Sequence, residues 1–260
     1  GGVNMKKSIK RTVSMILSLC MFMFIFAGVK TTAKASSTGS TYYVDSQNGN
    51  DENDGLSEAK AWKTLTKVSN TKFNPGDKIL FKRGCEWNGI IEIRNTNGAE
   101  GNPIIIDAYG EGSRPRINAG GKDRAFLLLN SSYWEINNLE ITNDDDFNNN
   151  SNSARQGIIV MADNYGKLSH IYIKNCYVHD VDGQAGNADT GGIIFKVTGT
   201  IIPSWFDYVI VEGNHIQNCD REGIIIAKGG SAGALSTNIR VIGNVIEDIE
   251  GDGIAVTYCQ

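Results

Sequence analysis

The chain has 260 residues, of which 21% are charged and 8% are aromatic, and its formal net charge is −4 at pH 7. Six of the 25 Lys and Arg residues and none of the 29 Asp and Glu residues lie in residues 1–35. The rest of the chain is therefore strongly acidic, which excludes a nucleic-acid-binding class because phosphates require a basic surface.

Residues 1–35 are interpreted as a leader and a secretory signal peptide. Basic residues between Lys6 and Arg11 precede an apolar run from Val13 to Val29, and the small residues Ala33 and Ala35 follow. This pattern predicts cleavage after Ala35, export from a bacterial cell and no membrane contact afterwards. An uncleaved anchor is the alternative, because the apolar run approaches the length of a membrane span.

Residues 36–83 are predicted to form an N-terminal cap. They contain a short strand (TYYVD), a polar loop (QNGNDENDG) and then Trp62, Leu65 and Val68 at helical spacing. The spacing predicts a short amphipathic helix that covers the open end of a solenoid, with Trp62 in the core. The polar loop lacks the closing glutamate of a calcium loop, so we predict no calcium there.

Residues 84–260 contain a repeat. A glycine followed by an apolar run opens four segments, at Gly157, Gly192, Gly223 and Gly253, in steps of 35, 31 and 30 residues. A second unit recurs between them, with two apolar columns that lie five residues apart. The columns are Ile136, Ile173, Val211 and Val241, and Ile141, Val178, Ile216 and Ile246.

A third column lies between these two and holds only Asn or Gly. Its members are Asn138, Asn175, Gly213 and Gly243. Asn and Gly share tolerance of the left-handed backbone region, so the column predicts a one-residue bend. Each repeat then has three short strands with one buried and one exposed face, and stacked repeats form a parallel β-helix.

The pattern from Tyr42 to Gln260 resembles the right-handed parallel β-helix proteins of the pectate-lyase-like group. The cap resembles those of secreted bacterial β-helix enzymes that act on plant polysaccharides. No capping repeat follows the last Gly-Ile strand, so we expect a β-helix that is C-terminally incomplete and truncated in mid-rung. The resemblance implies a monomeric enzyme with a polysaccharide substrate.

Acidic residues concentrate immediately before the Gly-Ile strands. Asp182, Asp220 and Glu250 form one column beside the apolar column of Val181, Cys219 and Ile249, with Asp180, Asn218 and Asp248 on its other side. Carboxylates about 4.8 Å apart repel one another, by about 0.9 kcal/mol in bulk water. Asp182, Asp220 and Glu250 are therefore either a solvated acidic edge or ligands of Ca²⁺.

The resemblance to pectate lyases implies β-elimination in a groove along the face of the Gly-Ile strands. In those enzymes a Lys or Arg removes a proton that calcium has acidified. Lys196, in the segment IIFK, is similar to the base-bearing strand of family 9 pectate lyases, and Asp189 and Arg221 approach it as substrate-binding candidates. The aspartate-rich segment expected upstream is absent.

A glycoside hydrolase on the same scaffold is the alternative enzyme. Glu222 and Asp252 lie one repeat apart in one column, which suits a pair of hydrolytic carboxyl groups. His179, beside the long loop DVDGQAGNADTGG, is a candidate acid or base. A non-catalytic carbohydrate-binding or structural β-helix is a third interpretation.

The segment 143–153 (NDDDFNNNSNS) is predicted to be a solvated loop. The cysteines Cys85, Cys176, Cys219 and Cys259 form no zinc spacing, and we predict no disulfide. Cys219 falls in an apolar column, which predicts a buried thiol.

Overall fold

The computed structural model describes residues 39–144, 154–228 and 234–257. This part of the chain contains a 3₁₀ turn (Glu58–Lys60), one helix, α1 (Leu65–Asn70), and many short strands. The strands are β1 (Thr41–Val44), β2 (Lys78–Lys82), β3 (Glu86–Asn88), β4 (Ile91–Arg94), β5 (Ile104–Tyr109), β6 (Arg116–Asn118), β7 (Arg124–Leu129), β8 (Trp134–Asn137), β9 (Glu140–Asn143), β10 (Gln156–Asp163), β11 (Lys167–Lys174), β12 (Tyr177–Val181), β13 (Gly191–Thr198), β14 (Trp205–Glu212), β15 (His215–Cys219), β16 (Glu222–Lys228), β17 (Thr237–Ile242), β18 (Val245–Ile249) and β19 (Ile254–Val256).

The strands form three parallel sheets, as the repeat predicts. Sheet 1 has the order β1-β2-β5-β8-β11-β14-β17, sheet 2 is β3-β6-β9-β12-β15-β18, and sheet 3 is β4-β7-β10-β13-β16-β19. One turn of the chain, called a rung below, places one strand in each sheet. Rung 1 is β2 to β4 and rung 6 is β17 to β19, so the described strands form a six-rung parallel β-helix.

The register confirms the predicted columns. In sheet 1, Ile173 pairs with Ile136 and with Val211. In sheet 2, Val178 pairs with Ile141 and with Ile216. The residues of rungs 3 to 5 in these columns are fully buried, because each inward side chain packs on the same position of the next rung.

The predicted bend between sheets 1 and 2 is also confirmed. Asn138 and Asn175 have φ of 58° and 53°, and Gly213 and Gly243 have φ of 64° and 60°. These values lie in the left-handed region, which Asn and Gly tolerate best. One residue of this kind per rung turns the chain from one sheet into the next.

Close packing requires glycine at two of the positions that open strands of sheet 3, Gly157 and Gly192. A Cβ atom on Gly157 would lie 2.5 Å from the carbonyl oxygen of Gly192 and 2.7 Å from Val178 Cγ1. A Cβ on Gly192 would lie 2.8 Å from Ile216 Cγ2. The corner between sheets 2 and 3 therefore has no room for a side chain at these positions.

The cap differs in detail from its prediction. Trp62 precedes the helix, bridges to Val44 in parallel pairing and is 3% exposed, so its predicted place in the core is confirmed. Helix α1 is short and starts only at Leu65, because the side chain of Thr64 caps it by accepting from the Lys67 N–H at 3.1 Å. Leu65 and Val68 point into the core, as predicted.

One outward row of sheet 3 is buried, contrary to the alternation argument. Leu127, Ile159, Ile194 and Ile225 are at most 3% exposed and form a second apolar cluster. They occupy one register row, in which each aliphatic side chain packs on the next. Strand alternation predicts the face of a residue but not whether that face is covered.

The three described cysteines, Cys85, Cys176 and Cys219, are free and buried. The predicted core position of Cys219 is thus confirmed, and burial raises the pKa of the Cys176 thiol to about 12. Within the described ranges, no helix is long and apolar enough to cross a membrane. The predicted signal peptide, residues 145–153, Cys259 and the final residue lie outside the described residues.

Candidate functional site

The predicted acidic residues lie where the chain passes from sheet 2 into sheet 3. The segments 182–191, 220–222 and 250–252 of rungs 4 to 6 stack there, and we call them the acidic edge. Backbone bonds set their register: the Glu250 N–H donates to the Cys219 carbonyl at 3.1 Å and the Gly223 N–H to the Asp252 carbonyl at 3.0 Å. Gln156, Gly191 and Glu222 pair in one row, as the sequence columns predict.

Glu222 is a buried carboxylate of the edge that is held at both oxygens. It is 7% exposed, and Oε1 accepts from Arg221 Nε at 3.0 Å. Oε2 accepts from the Asp252 backbone N–H, also at 3.0 Å. Both oxygens are therefore fixed as acceptors, while Asp252, its neighbour in the row, is exposed.

Arg221 is partly exposed, and its guanidinium contacts the protein. Besides Glu222, its Nη1 donates to the Ala185 carbonyl at 2.7 Å, and its own carbonyl accepts from the Gly251 N–H at 2.6 Å. The sequence places Arg221 among the substrate-binding candidates, and the structure gives its guanidinium two protein partners instead.

Lys196 and Asp189 form an ion pair. Lys196 Nζ donates to Asp189 Oδ2 at 2.8 Å, and the two side chains are 21% and 34% exposed. The Asp189 carbonyl accepts from Gln156 Nε2 at 3.0 Å. A base that removes a proton needs a free lone pair, whereas this nitrogen donates to a carboxylate, so the arrangement does not favour Lys196 as the base.

A cleft of about 200 Å³ opens at the acidic edge. Its lining residues are Ala185, Asp220, Arg221, Glu222, Glu250, Gly251 and Asp252. Four of these are carboxylates, and the arginine is bound to one of them. The cleft brings together Glu222, Asp252, Arg221, Asp220 and Glu250 from the predicted set.

The three predicted calcium ligands do not form a ligand group. Asp182 is 2% exposed, whereas Asp220 is half-buried and Glu250 is exposed. Across the described ranges, no group of three or more His, Cys, Asp or Glu side chains is placed to hold a metal ion. These residues therefore do not fit a calcium site, and calcium stays a prediction from sequence.

His179 lies apart from this cleft, on the outer face of sheet 2. Its Nδ1 is 2.7 Å from Asp180 Oδ2, its Nε2 is 3.3 Å from Glu140 Oε1, and its ring stacks on Tyr177 at 3.9 Å. These contacts hold it within sheet 2, and it does not line the cleft.

The column of Asp180, Asn218 and Asp248 has a backbone explanation. Their φ values are 49°, 50° and 53°, in the left-handed region that Asn and Asp tolerate. Burial alone would raise the pKa of Asp180, but hydrogen bonds from Asn218 and His179 lower it below its usual value. This part of the acidic pattern is therefore structural.

Sequence reasoning missed one buried polar residue beside the edge, Asn143. Asn143 belongs to β9, not to the predicted loop, and its Nδ2 donates to the carbonyls of Lys122 and Gln156. It pairs with Val181, so it is an Asn in an otherwise apolar column. A polar residue in an apolar column was the sequence signal that could have identified Asn143 as a buried hydrogen-bonding residue.

No protein-family model matches the sequence. A lacto-N-biosidase of Bifidobacterium longum subsp. longum is 31% identical over 313 aligned positions, which cover 89% of this chain and 20% of that protein. The crystal structure of the native GH136 lacto-N-biosidase from Eubacterium ramulus is similar with a TM-score of 0.76 and 29% identity. That match covers 84% of this chain and 43% of the other, and the selenomethionine form gives the same TM-score at 28% identity.

The described part of the protein is a right-handed parallel β-helix. The chain spans a fifth of the curated relative and less than half of the solved one. The fold predicted from the repeat is thus confirmed.

Proposed function

We propose that this chain belongs to a glycan-degrading glycoside hydrolase of the lacto-N-biosidase type. The supporting observation is its similarity, over most of its length, to the two lacto-N-biosidases. The proposed substrates are glycans that carry a lacto-N-biose unit rather than a plant polysaccharide. The segment 1–35 is proposed to direct export, and the mature protein to act outside the cell as a monomer.

The acidic edge supports hydrolysis over elimination. Hydrolysis of a glycosidic bond uses two carboxyl groups, one as acid and one as base or nucleophile. Glu222 and Asp252 are adjacent in one row and both line the cleft. We assign the role of base or nucleophile to Glu222, because both of its oxygens accept hydrogen bonds. We assign the role of acid, which donates the proton, to Asp252.

The charge of the cleft supports an uncharged substrate. Four carboxylates line it, and its one arginine already binds Glu222. A uronate placed about 4.8 Å from one of these carboxylates would be repelled by about 0.9 kcal/mol in bulk water and more in a sheltered site. Neutral sugar hydroxyls instead donate to carboxylates, which suits a lacto-N-biose unit.

A product assay tests the proposal. The complete reading frame without residues 1–35 is incubated with p-nitrophenyl lacto-N-bioside, with pectate and with xylan, each with calcium or with chelator. We expect nitrophenol and free disaccharide from the bioside, unaffected by chelator. Unsaturated uronates from pectate that disappear with chelator would establish the calcium-dependent lyase instead, and binding without any product would support the non-catalytic interpretation.

A further inference from the structure

Arg221 connects three successive rungs through one side chain and its own backbone. Its Nη1 reaches the Ala185 carbonyl of rung 4, and its Nε reaches Glu222 beside it on rung 5. Its carbonyl accepts from Gly251 of rung 6 at 2.6 Å, where an added Cβ would lie only 2.4 Å from that oxygen. The residue is thus held from both ends.

This arrangement fixes the orientation of the Glu222 carboxylate. A Glu side chain has several freely rotating bonds, and immobilising it requires at least two directional contacts. Arg221 supplies one contact and the Asp252 N–H the other, one to each oxygen. The planar guanidinium gives its two donors fixed directions, which a lysine ammonium does not.

The geometry points to Arg221 as a positioning residue that acts through Glu222. It sets the direction of the carboxylate and ties it to the loop between β12 and β13, and it does not bind substrate. This inference rests on the proposed function, because it takes Glu222 as a reacting group. A misplaced reacting group slows the chemical step by up to about 100-fold while substrate binding changes little.

The test compares kcat and KM on p-nitrophenyl lacto-N-bioside. The variants are Arg221→Gln, Arg221→Lys, Glu222→Gln and the double variant Arg221→Gln/Glu222→Gln. Arg116→Gln is the matched control: Arg116 is 33% exposed against 30% for Arg221, and it pairs with Glu140 at 3.5 Å on sheet 2. Circular dichroism and the thermal midpoint check that each variant folds.

We expect Arg221→Gln to lower kcat about 10- to 100-fold with KM within about 3-fold of wild type. The double variant should be no slower than Glu222→Gln, because Arg221 then has no reacting group to orient. The kcat of Arg221→Lys, which keeps the charge but not the two fixed donors of the guanidinium, should lie between the kcat values of wild type and Arg221→Gln. This variant keeps the inference testable if Arg221→Gln folds poorly. Arg116→Gln should match wild type.

Three results would overturn the inference while leaving the proposed function in place. A rise in KM alone would make Arg221 a substrate contact. Multiplying losses in the double variant would mean that it acts independently of Glu222. A wild-type enzyme that is active while Arg221→Gln and Arg221→Lys keep full kcat would refute positioning alone, whereas an inactive wild type would refute the proposed function and the inference with it.

Discussion

Two acid-rich regions of this protein, the cap loop of residues 45–54 and the acidic edge, use carboxylates in different ways. In the cap, Asp45 accepts from the backbone N–H groups of Gln47 and Asn48 at 2.9 and 3.0 Å and from Lys82 Nζ at 2.7 Å. Asp51 likewise accepts from the backbone N–H groups of residues 63 and 64. These carboxylates replace backbone partners that the irregular loop cannot supply.

At the acidic edge, the repeat supplies most backbone bonds by stacking, so the carboxylates do not have to. Glu222 uses one backbone N–H and one arginine, and Asp252 and Glu250 are exposed at a cleft. An acidic cluster in a sequence therefore indicates a functional site only when its carboxylates are not needed as hydrogen-bond partners of the backbone. Removing cap carboxylates should therefore reduce stability, and removing edge carboxylates should reduce activity.

The largest expected effect follows from neutralising the pair at the edge. Glu222→Gln and Asp252→Asn should each lower kcat on p-nitrophenyl lacto-N-bioside by about 10²- to 10⁴-fold, because each removes an acid or base from the reaction. Steady-state kinetics with a circular dichroism check of folding would measure this. Full activity in both variants would show that the edge is a solvated surface and that catalysis lies elsewhere.

The complementary effect is expected in the cap. Asp45→Asn should lower the free energy of unfolding by about 1–3 kcal/mol, because it removes a charged partner from Lys82 while the side chain of residue 45 stays buried. Urea unfolding would measure the loss, and kcat should be unchanged. Asp54→Asn is the control: its pair with Lys60 is long, at 3.6 Å, and exposed, so the change should stay below about 0.5 kcal/mol.

The features of the fold and of the candidate site that could be predicted from the sequence are those that recur with the repeat. The sequence predicted the three sheets and the register of rungs 3 to 6, because the Asn or Gly bend, for example at Asn175 and Gly213, repeats in every rung. It also predicted that Glu222 and Asp252 would be neighbours, since parallel register carries a sequence column directly into space. Here a repeat makes long-range contacts readable from spacing.

The remainder could not be predicted, because it depends on side-chain direction and backbone conformation. A column of Asp, Asn and Asp is equally consistent with charge and with left-handed φ, and Asp180 proved to serve the backbone. His179 was placed near the long loop by its number, but it points away from the cleft onto Tyr177. The sequence places Asp189 near Lys196 as a substrate-binding candidate, but spacing alone does not show that the two side chains form an ion pair at 2.8 Å.

Gly251 offers a smaller test of the edge that leaves every charge in place. Gly251→Ala should cost about 1–3 kcal/mol of stability and lower kcat, because its Cβ would lie 2.4 Å from the Arg221 carbonyl and must displace Arg221. Thermal unfolding and kinetics would measure both. Gly253→Ala is the matched control, since its Cβ would meet only Ile246 Cγ2 at an ordinary 3.7 Å. Equal losses in the two variants would contradict a role for close packing at Arg221.

The smallest effect concerns pH and again separates the regions. Burial alone would raise the pKa of Asp45, but the Lys82 ammonium and the N–H groups of Asn48 and Gln47 lower it well below its usual value. A folded-state pKa below the unfolded value of about 3.9 stabilises the fold above that pH, and the stabilisation is lost as pH falls.

The stability difference between wild type and Asp45→Asn should therefore be constant from pH 7 to about pH 5. At pH 3 it should narrow by about 1 kcal/mol, because the unfolded wild-type chain gains a proton at Asp45 that the folded chain resists. Urea midpoints at each pH would measure it. A difference that stays constant down to pH 3 would mean that Asp45 acts through shape rather than charge, and the cap loop would then differ from the acidic edge in position only.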